Sequence, residues 1–571
     1  MKNKLKRKYD VIILGAGQAG LCLARQLLLY TKCTILHLEK NKSLPGIRQK
    51  VGESTVQIAG FYLSKVLDME EYLCQEHFMK YNLRFLWKTH DSDNRNYEDH
   101  SQAYIRNFSN IASYQLDRNL FESKLLELNK SYESRYTVII NTHVKQIDIR
   151  DLNHSLEFVY KGLYKHSCSA KWLIDSTGKS RFLSKRKNLN KVTPINHNAN
   201  HFWIDGIINI EKLTTKSKSQ QNILTIKKQV GHLPVWLATN HFMGEGYWFW
   251  VIPIKNRTSF GLVYDPEFVD KNSVNKKGKL LDWISKNHPS FKNVINDKSI
   301  IDFTTYNNFS YDCRKTLSSR GWALTGMSGR FNDPLYSPGA DTISIQNCAI
   351  IDLIKTKSKK ELDKKSSRYE LLFQILFNSF LPTYHVSYNA LGDQESFILK
   401  YTWELSIYFN FFVFPFINNL FTNIQFLDEY FKRMAQLGPL NHTVQTKIKD
   451  FSNWKNNNNS NSKQTFFDLM DSYVLKDSEK TFYELTNSVP EAMLIVDSKL
   501  ELMKKYALLI LCHVQARKYN DNAYFYKSEL IEKVNLNMYK KNRNKLNNQW
   551  EKEKFSWGPF DPEIYFRIFN N

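Results

Sequence analysis

Near the N-terminus, Asp10-Val11-Ile12-Ile13-Leu14 is a continuous apolar run, the pattern of a parallel strand covered on both faces. Leu21 to Tyr30 then carries helical periodicity, and Thr34-Ile35-Leu36-His37-Leu38 reads as a second strand, so residues 9 to 40 predict one βαβ unit. Further runs predict strands at 135–140, 155–160 and 171–175. From about 195 to 315 strand patterns alternate with polar turns, most clearly from Trp248 to Val263, which predicts an antiparallel sheet. From Thr342 onward the pattern is mainly helical. The expected fold class is α/β (α+β overall). A Rossmann-like three-layer unit over 1–350 carries the antiparallel sheet as an insertion, and a mainly helical region follows over 351–571.

Three stretches of the second half stand out. Lys355 to Ser367 is charged and reads as a helix surface or connection. The Asn/Ser run at 456–462 predicts an exposed loop. Ile407 to Ile417 is intensely apolar but too short to span a bilayer, and Asn410 and Pro415 interrupt it. It reads as buried core or the wall of a substrate channel, so membrane association is not expected.

Chemistry enters with the turn after the first strand. Gly15-Ala16-Gly17-Gln18-Ala19-Gly20 follows a strand and opens a helix. Gly15 permits the tight turn, Gly17 lets the backbone approach a pyrophosphate, and Gly20 allows close helix–strand packing. Glu39, followed by Lys40, ends the second strand nineteen residues beyond Gly20, where a carboxylate can accept hydrogen bonds from an adenosine ribose. The segment therefore reads as a dinucleotide site.

Composition narrows the picture a little. The chain has 80 basic against 56 acidic residues, a net charge of +24. No long basic run is interleaved with aromatics, so the charge reads as a lysine-rich surface rather than a nucleic-acid site. Seven cysteines lie far apart with no C-x-x-C pair, which points away from a disulfide framework or a zinc site. No metal is expected, and a reducing, cytoplasmic location fits.

Three later segments identify the dinucleotide. Tyr114 to Phe121 resembles the stretch in which flavin monooxygenases place an arginine, here Arg118, beside their cofactor. Asp175-Ser176-Thr177-Gly178 resembles their second FAD motif. Gly321 to Gly326, followed by Asp333-Pro334-Leu335, resembles the third. In that order and spacing they make residues 8–350 resemble the p-hydroxybenzoate-hydroxylase-type flavoproteins. Met327 stands where the family usually has an aspartate on the ribityl chain; Ser328 is the neighbouring polar substitute. The resemblance also implies that Pro338, Gly339 and Ala340 open a helix whose N–H groups face the flavin pyrimidine edge.

Within that superfamily the chain resembles the flavin-dependent (tryptophan-type) halogenases. Trp248-Phe249-Trp250-Val251-Ile252-Pro253 matches their W-x-W-x-I-P motif, and Val51-Gly52-Glu53-Ser54-Thr55 their V-G-E-[SA]-T segment. Lys80 falls where they carry an essential lysine, and Asp333 to Gly339 matches their D-P-L-x-S-x-G stretch. The resemblance implies FAD used as FADH2 from a separate reductase, with chloride or bromide as halide. It also implies hypohalous acid directed by Lys80 onto a small phenolic or pyrrolic ring, free or tethered to a carrier protein. Trp248 and Trp250 would wall the flavin from the substrate, and Glu53 and Ser54 would position Lys80 or the flavin. As alternate strand residues, the two tryptophans could equally share one core. A monooxygenase or prenyl-lipid reductase of the same fold, or a redox-silent flavoprotein-like binding protein, are the alternatives. Tyr336 stands where indole-specific members have a carboxylate, so free tryptophan is not the expected substrate.

Overall fold

The structure is a computed structural model that describes residues 5–46, 48–107, 109, 111–220, 234–295, 300–458, 464–538 and 555–569. The chain enters on strand β1 (Lys8–Leu14), turns through the glycines into helix α1 (Gln18–Tyr30), and returns on strand β2 (Ile35–Leu38). Val11, Ile12 and Ile13 are fully buried because helices and sheet cover both sides of β1, as its unbroken apolar run requires. Helix α2 (Arg118–Lys130) packs against α1 and is capped by Asp117, whose carboxylate accepts the amides of Asn119 (3.0 Å) and Leu120 (3.2 Å). Strand β3 (Tyr164–Asp175) pairs in parallel with β1 on the side opposite β2. The predicted strands near 136, 155 and 171 all belong to this sheet, which Trp322–Leu324 extends in parallel beside β3.

A second sheet of eight strands holds β4 (Tyr247–Ile254) near its centre. The expected antiparallel sheet forms from strands between Asn198 and Tyr306. It does not end there: Leu83–Trp87 joins in parallel beside Thr239–Gly244, then come Ser101–Tyr104 and, at the edge, Phe466–Asp468 from the C-terminal part. The sheet is thus assembled from three distant parts of the chain, which local patterning does not reveal.

From residue 338 the described chain is mainly helical, with α3 (Pro338–Lys355), α4 (Lys359–His385), α5 (Gln394–Tyr408), α6 (Ile424–Asn457) and α7 (Val489–Tyr519) as its long helices. The charged stretch from Lys355 contains the end of α3, a short connection and the start of α4. Between α5 and α6, Phe409–Val413 forms one π-helical turn and is buried throughout. The helix α6 reaches Asn457, so the Asn/Ser run begins inside it, and residues 459–462 of that run lie outside the described residues. One contiguous apolar core runs from Val11 and Ala16 at the glycine turn to Leu511 and Phe569 near the C-terminus. No helix among the described residues is long and apolar enough to cross a membrane.

Candidate active site

The glycine turn has the geometry its residues predict. Gly15 has φ +97°, and a Cβ there would lie 2.6 Å from the Ser176 carbonyl oxygen. A Cβ at Gly20 would lie 2.3 Å from the Gly15 oxygen, so only glycine permits the helix to approach this closely. Gly17, the N-cap of α1, faces open space. A bare backbone at a helix start, with room in front of it, is the setting a pyrophosphate requires. Glu39 is buried beside the turn, where its carboxylate accepts the Ala16 amide (2.7 Å) and the Asn41 amide (2.8 Å). Lys40 is turned outward onto the Ser180 hydroxyl (3.2 Å).

Arg118 reaches the same helix start. Its guanidinium donates to the Val51 carbonyl (2.8 Å) and pairs with Glu122 (2.6 Å), one turn further along α2. Glu122 in turn accepts the Gln18 amide (3.1 Å) and meets the Lys50 ammonium. This carboxylate, carried by α2 and bonded to the first turn of the phosphate helix α1, escaped the sequence reading. Glu122 sits four residues after Arg118 on one helix face, and that spacing was the available signal. Gly52 (φ +94°) makes way for Arg118, whose Nη1 would lie 2.7 Å from a Cβ there.

Two motif residues are turned inward. Asp175 is fully buried and uses both carboxylate oxygens inside the protein, on the Thr177 amide (2.8 Å) and hydroxyl (2.7 Å) and on the Leu183 amide (2.7 Å). Its role here is to hold the turn that presents Gly178 (φ +58°) to open space, and burial raises its carboxyl pKa. Ser328 donates to the carbonyls of Asp175 (2.5 Å) and Thr325 (2.8 Å), so it does not take the place of the missing aspartate beside Met327. Gly326 (φ +61°) donates its amide to Gln346 (2.7 Å), and the Met327 carbonyl accepts the Tyr311 hydroxyl.

Pro338 and Gly339 begin α3 after two consecutive left-handed residues, Tyr336 (φ 68°) and Ser337 (φ 60°). Neither is a glycine, and such conformations cost about 1–3 kcal/mol each, so the surrounding structure must impose them. Gly339 faces open space, and Ala340 follows it in the first turn.

This loop borders a cavity whose lining includes Gly326, Met327, Pro338 and Gly339 together with Phe373, Phe380 and Phe412. About 140 Å³ is open to water centres, roughly ten times what one water needs. Lys80 projects into it. The side chain is 4% exposed, and its Nζ donates to the Thr55 carbonyl at 2.7 Å. Burial drives its pKa down to about 7, against the pull of the Asp341 carboxylate. Asp341, in the first turn of α3, lines the same cavity. It accepts the Ala59 amide (2.8 Å) and the Tyr408 hydroxyl (2.6 Å), and burial lifts its pKa to about 7. Thr55, Asp341 and Tyr408 were not among the expected site residues; Asp341 lay three residues past Pro338, where a helix-start acid was readable.

The V-G-E-S-T segment supports Lys80 through Thr55 rather than through the two residues expected. Glu53 is buried against the Trp203 indole (2.7 Å to Nε1), with its carboxyl pKa raised by burial, and Ser54 is bonded to Thr239 (2.7 Å). Trp248 and Trp250 lie on one face of β4, ring centroids 5.5 Å apart, and neither lines the cavity. Trp250 donates to Ser259 (3.1 Å). Trp248 donates to the Tyr388 hydroxyl (3.0 Å), which lies 3.5 Å from Asp333 on the cavity wall. Strand alternation into a shared core describes the pair, and Trp248 supports the wall from behind.

No protein-family model matches the chain. It is 24% identical over 436 residues to the flavin-dependent halogenase chlA of Dictyostelium discoideum, covering 72% of this chain and 71% of that one. Among solved structures, the halogenase PltM in complex with phloroglucinol and FAD superposes with a TM-score of 0.59 at 15% identity, covering 86% of this chain and 96% of PltM. A flavoprotein/dehydrogenase from Cytophaga hutchinsonii matches with a TM-score of 0.52 at 18% identity, covering 67% of this chain and 88% of its own. The two structural matches establish the FAD-binding fold. With the motifs and the chlA similarity added, the chain is an FAD-dependent enzyme similar to the flavin-dependent halogenases.

Proposed function

We propose that this enzyme halogenates an electron-rich phenolic or pyrrolic ring, with Lys80 delivering the halogen. The observation that carries the reading is a lone buried amine in a cavity that begins at the expected flavin loop. FAD fits the residues present: open backbone at Gly17 and Gly339, glycines at 15 and 20 that no side chain could replace, and Glu39 beside the turn. Gly15, Gly17, Gln18, Ala19 and Gly20 would hold the pyrophosphate, Glu39 the ribose, and Arg118 the region of the helix start. Gly178, Gly326, Met327, Pro338, Gly339 and Ala340 would border the remainder. Reduced FAD, with dioxygen, supplies the two-electron oxidation of chloride or bromide to hypohalous acid.

The chain's own contribution is containment. With a pKa near 7, a share of Lys80 is neutral at physiological pH, and only that form has a lone pair to offer. The amine can take the halogen from hypohalous acid, forming an N–X bond and releasing water, and then yield it to a ring carbon. Protonated, the same group can hold the acid by hydrogen bonds. The Thr55 carbonyl fixes where Nζ points, and Asp341 beside it offers a place for the proton. With one glycine-rich dinucleotide motif in the chain, electrons would come from a separate reductase.

The apolar walls would also suit the prenyl-lipid alternative, but a buried lysine and aspartate lining the same cavity have no task in that reaction. The test is to supply the FAD-loaded chain with reduced flavin, dioxygen, bromide and a panel of phenols and pyrroles. Brominated products that disappear in Lys80→Ala support the reading; oxygenated products alone overturn it.

A further inference from the structure

Arg330 stands in the loop between Met327 and Asp333, and together with Phe377 of α4 it lines both the cavity and a smaller pocket beside it. Lys191, Arg314, Gln374 and Asn378 also line the smaller pocket, and of these Lys191, Arg314 and Asn378 are exposed. About 120 Å³ there is open to water centres, room for an ion that keeps part of its hydration. Arg330 itself is 5% exposed. Its Nε donates to Asp312 (2.7 Å), and its Nη2 donates to the Cys313 carbonyl (2.8 Å) and to Glu370 (2.9 Å). Both carboxylates have further partners. Asp312 accepts the Cys313 amide (2.7 Å) and the Lys191 ammonium (2.9 Å), and Glu370 accepts the Thr316 (2.6 Å) and Leu317 (3.2 Å) amides. Nη1 is different: it is buried with no hydrogen-bond partner among the described residues, and a charged donor left unpaired in that way is costly.

The chemistry of that donor selects its ligand. Each edge on which a guanidinium can grip a carboxylate or phosphate with two parallel bonds includes Nη2. Here Nη2 and Nε are already engaged, so no such edge is left, and the two N–H groups of Nη1 suit a single-atom acceptor. Charge selects an anion, since Lys191, Arg314 and Arg330 line the pocket against Asp312 alone. The surface outside adds to this. Asn190–Lys191 pairs with Asp312–Cys313, and burial, then Arg320 and Lys315, lower the pKa of nearby Lys187. A face of this sign raises the local concentration of small anions. On the cavity side, Pro338 opens α3 without an N–H to offer an anion. We infer that Arg330 Nη1 binds a halide ion, chloride or bromide, in the wall between the basic pocket and the cavity, and that this pocket is where halide enters. The inference rests on the halogenase reading for the use of the ion but not for its binding.

Binding tests this without turnover. The probe is chloride, read by chlorine-35 NMR on the FAD-loaded full chain with the flavin oxidised; an ion exchanging with a protein site broadens the bulk resonance. The wild type should show a saturable broadening that bromide displaces. Arg330→Lys is the informative variant, because it keeps the charge between Asp312 and Glu370. The three N–H groups of its ammonium match Asp312, the Cys313 carbonyl and Glu370, so none remains for the ion. A saturable component should weaken by at least about tenfold, the scale of a hydrogen bond to a charged group, and the KM for bromide in bromination should rise by a similar factor. Should Arg330→Lys fail to fold, Arg314→Gln changes only an exposed side chain of the same pocket and should weaken chloride binding by about two- to threefold, the scale of a screened surface charge. No saturable broadening in the wild type, or the same broadening in the variants, overturns the inference. A saturable site that depends on Arg330 in a protein that brominates nothing would leave the halide site standing and remove the halogenase. Bromination by Arg330→Lys at the wild-type KM for bromide would do the reverse.

Discussion

An amine taken out of water gives up its proton more readily, because desolvation penalises the charged form alone. At Lys80 that penalty brings the pKa from 10.5 to about 7, and this has two measurable consequences. Between pH 7 and 10.5 the unfolded chain binds a proton at Lys80 that the folded chain does not, so Lys80 destabilises the fold fully at pH 7 and below and ceases to do so near 10.5. Lys80→Met should therefore raise the melting temperature at pH 7, by an effect on the order of a few kcal/mol, and the gain should shrink as the pH approaches 10. The same variant should lose halogenation while still reoxidising reduced FAD; a lower melting temperature at every pH would contradict the burial argument. The second consequence is kinetic. If the neutral amine carries the halogen, kcat for bromination rises with pH through about 7. The charge of Asp341 favours the protonated form of Lys80, so Asp341→Asn should move that rise to lower pH, and a rise moved upward would count against that influence.

Among the elements, α1 shows most directly how a pattern becomes a site. Gly17 and Gly20 both belong to one motif, yet their surroundings differ: the first faces open space and the second touches backbone. Gly17→Ala should leave the melting temperature of the FAD-free chain nearly unchanged while weakening FAD binding by about tenfold or more, since its methyl would stand where the pyrophosphate approaches. Gly20→Ala should destabilise the FAD-free chain itself. Thermal melting and flavin titration separate the two, and equal effects from both variants would mean the turn is merely a turn. This element was legible because its signals are local: a doubly covered strand must be apolar throughout, and a helix packed at backbone distance must have glycine. Glu53, Ser54 and Asp175 sat in correctly placed motifs, yet their side chains face Trp203, Thr239 and Leu183, because a motif fixes a backbone path more firmly than it fixes which side chain reaches the ligand. Helix α5 was hidden for another reason. It is buried on nearly all sides, so apolar periodicity could not mark the face that carries Glu404 to the cavity.

At the scale of the molecule, the helices after residue 338 are joined to the cofactor end by shared structure. Phe466–Asp468 completes the edge of a sheet begun at Leu83, α3 packs on α1, and the apolar core continues from the glycine turn to Phe569. The cavity depends on this union: Lys80 comes from the first hundred residues, Asp341 from α3 and Glu404 from α5. On the proposed halogenase reading, a cap that could open as an independent body would release hypohalous acid before a ring captured it. The arrangement therefore favours one cooperative unit, although a chain of 571 residues is long enough to divide into several. On heating, the loss of far-ultraviolet ellipticity, the change in tryptophan emission and the release of flavin fluorescence should coincide within about two degrees, as a two-state transition requires. Saturating FAD should move all three signals upward together, because a ligand held by one part of a cooperative unit stabilises the whole. If the helical signal instead melted first and ignored FAD, the C-terminal helices would be a separate lid, and containment would have to come from its closing on the substrate rather than from a permanently shared core.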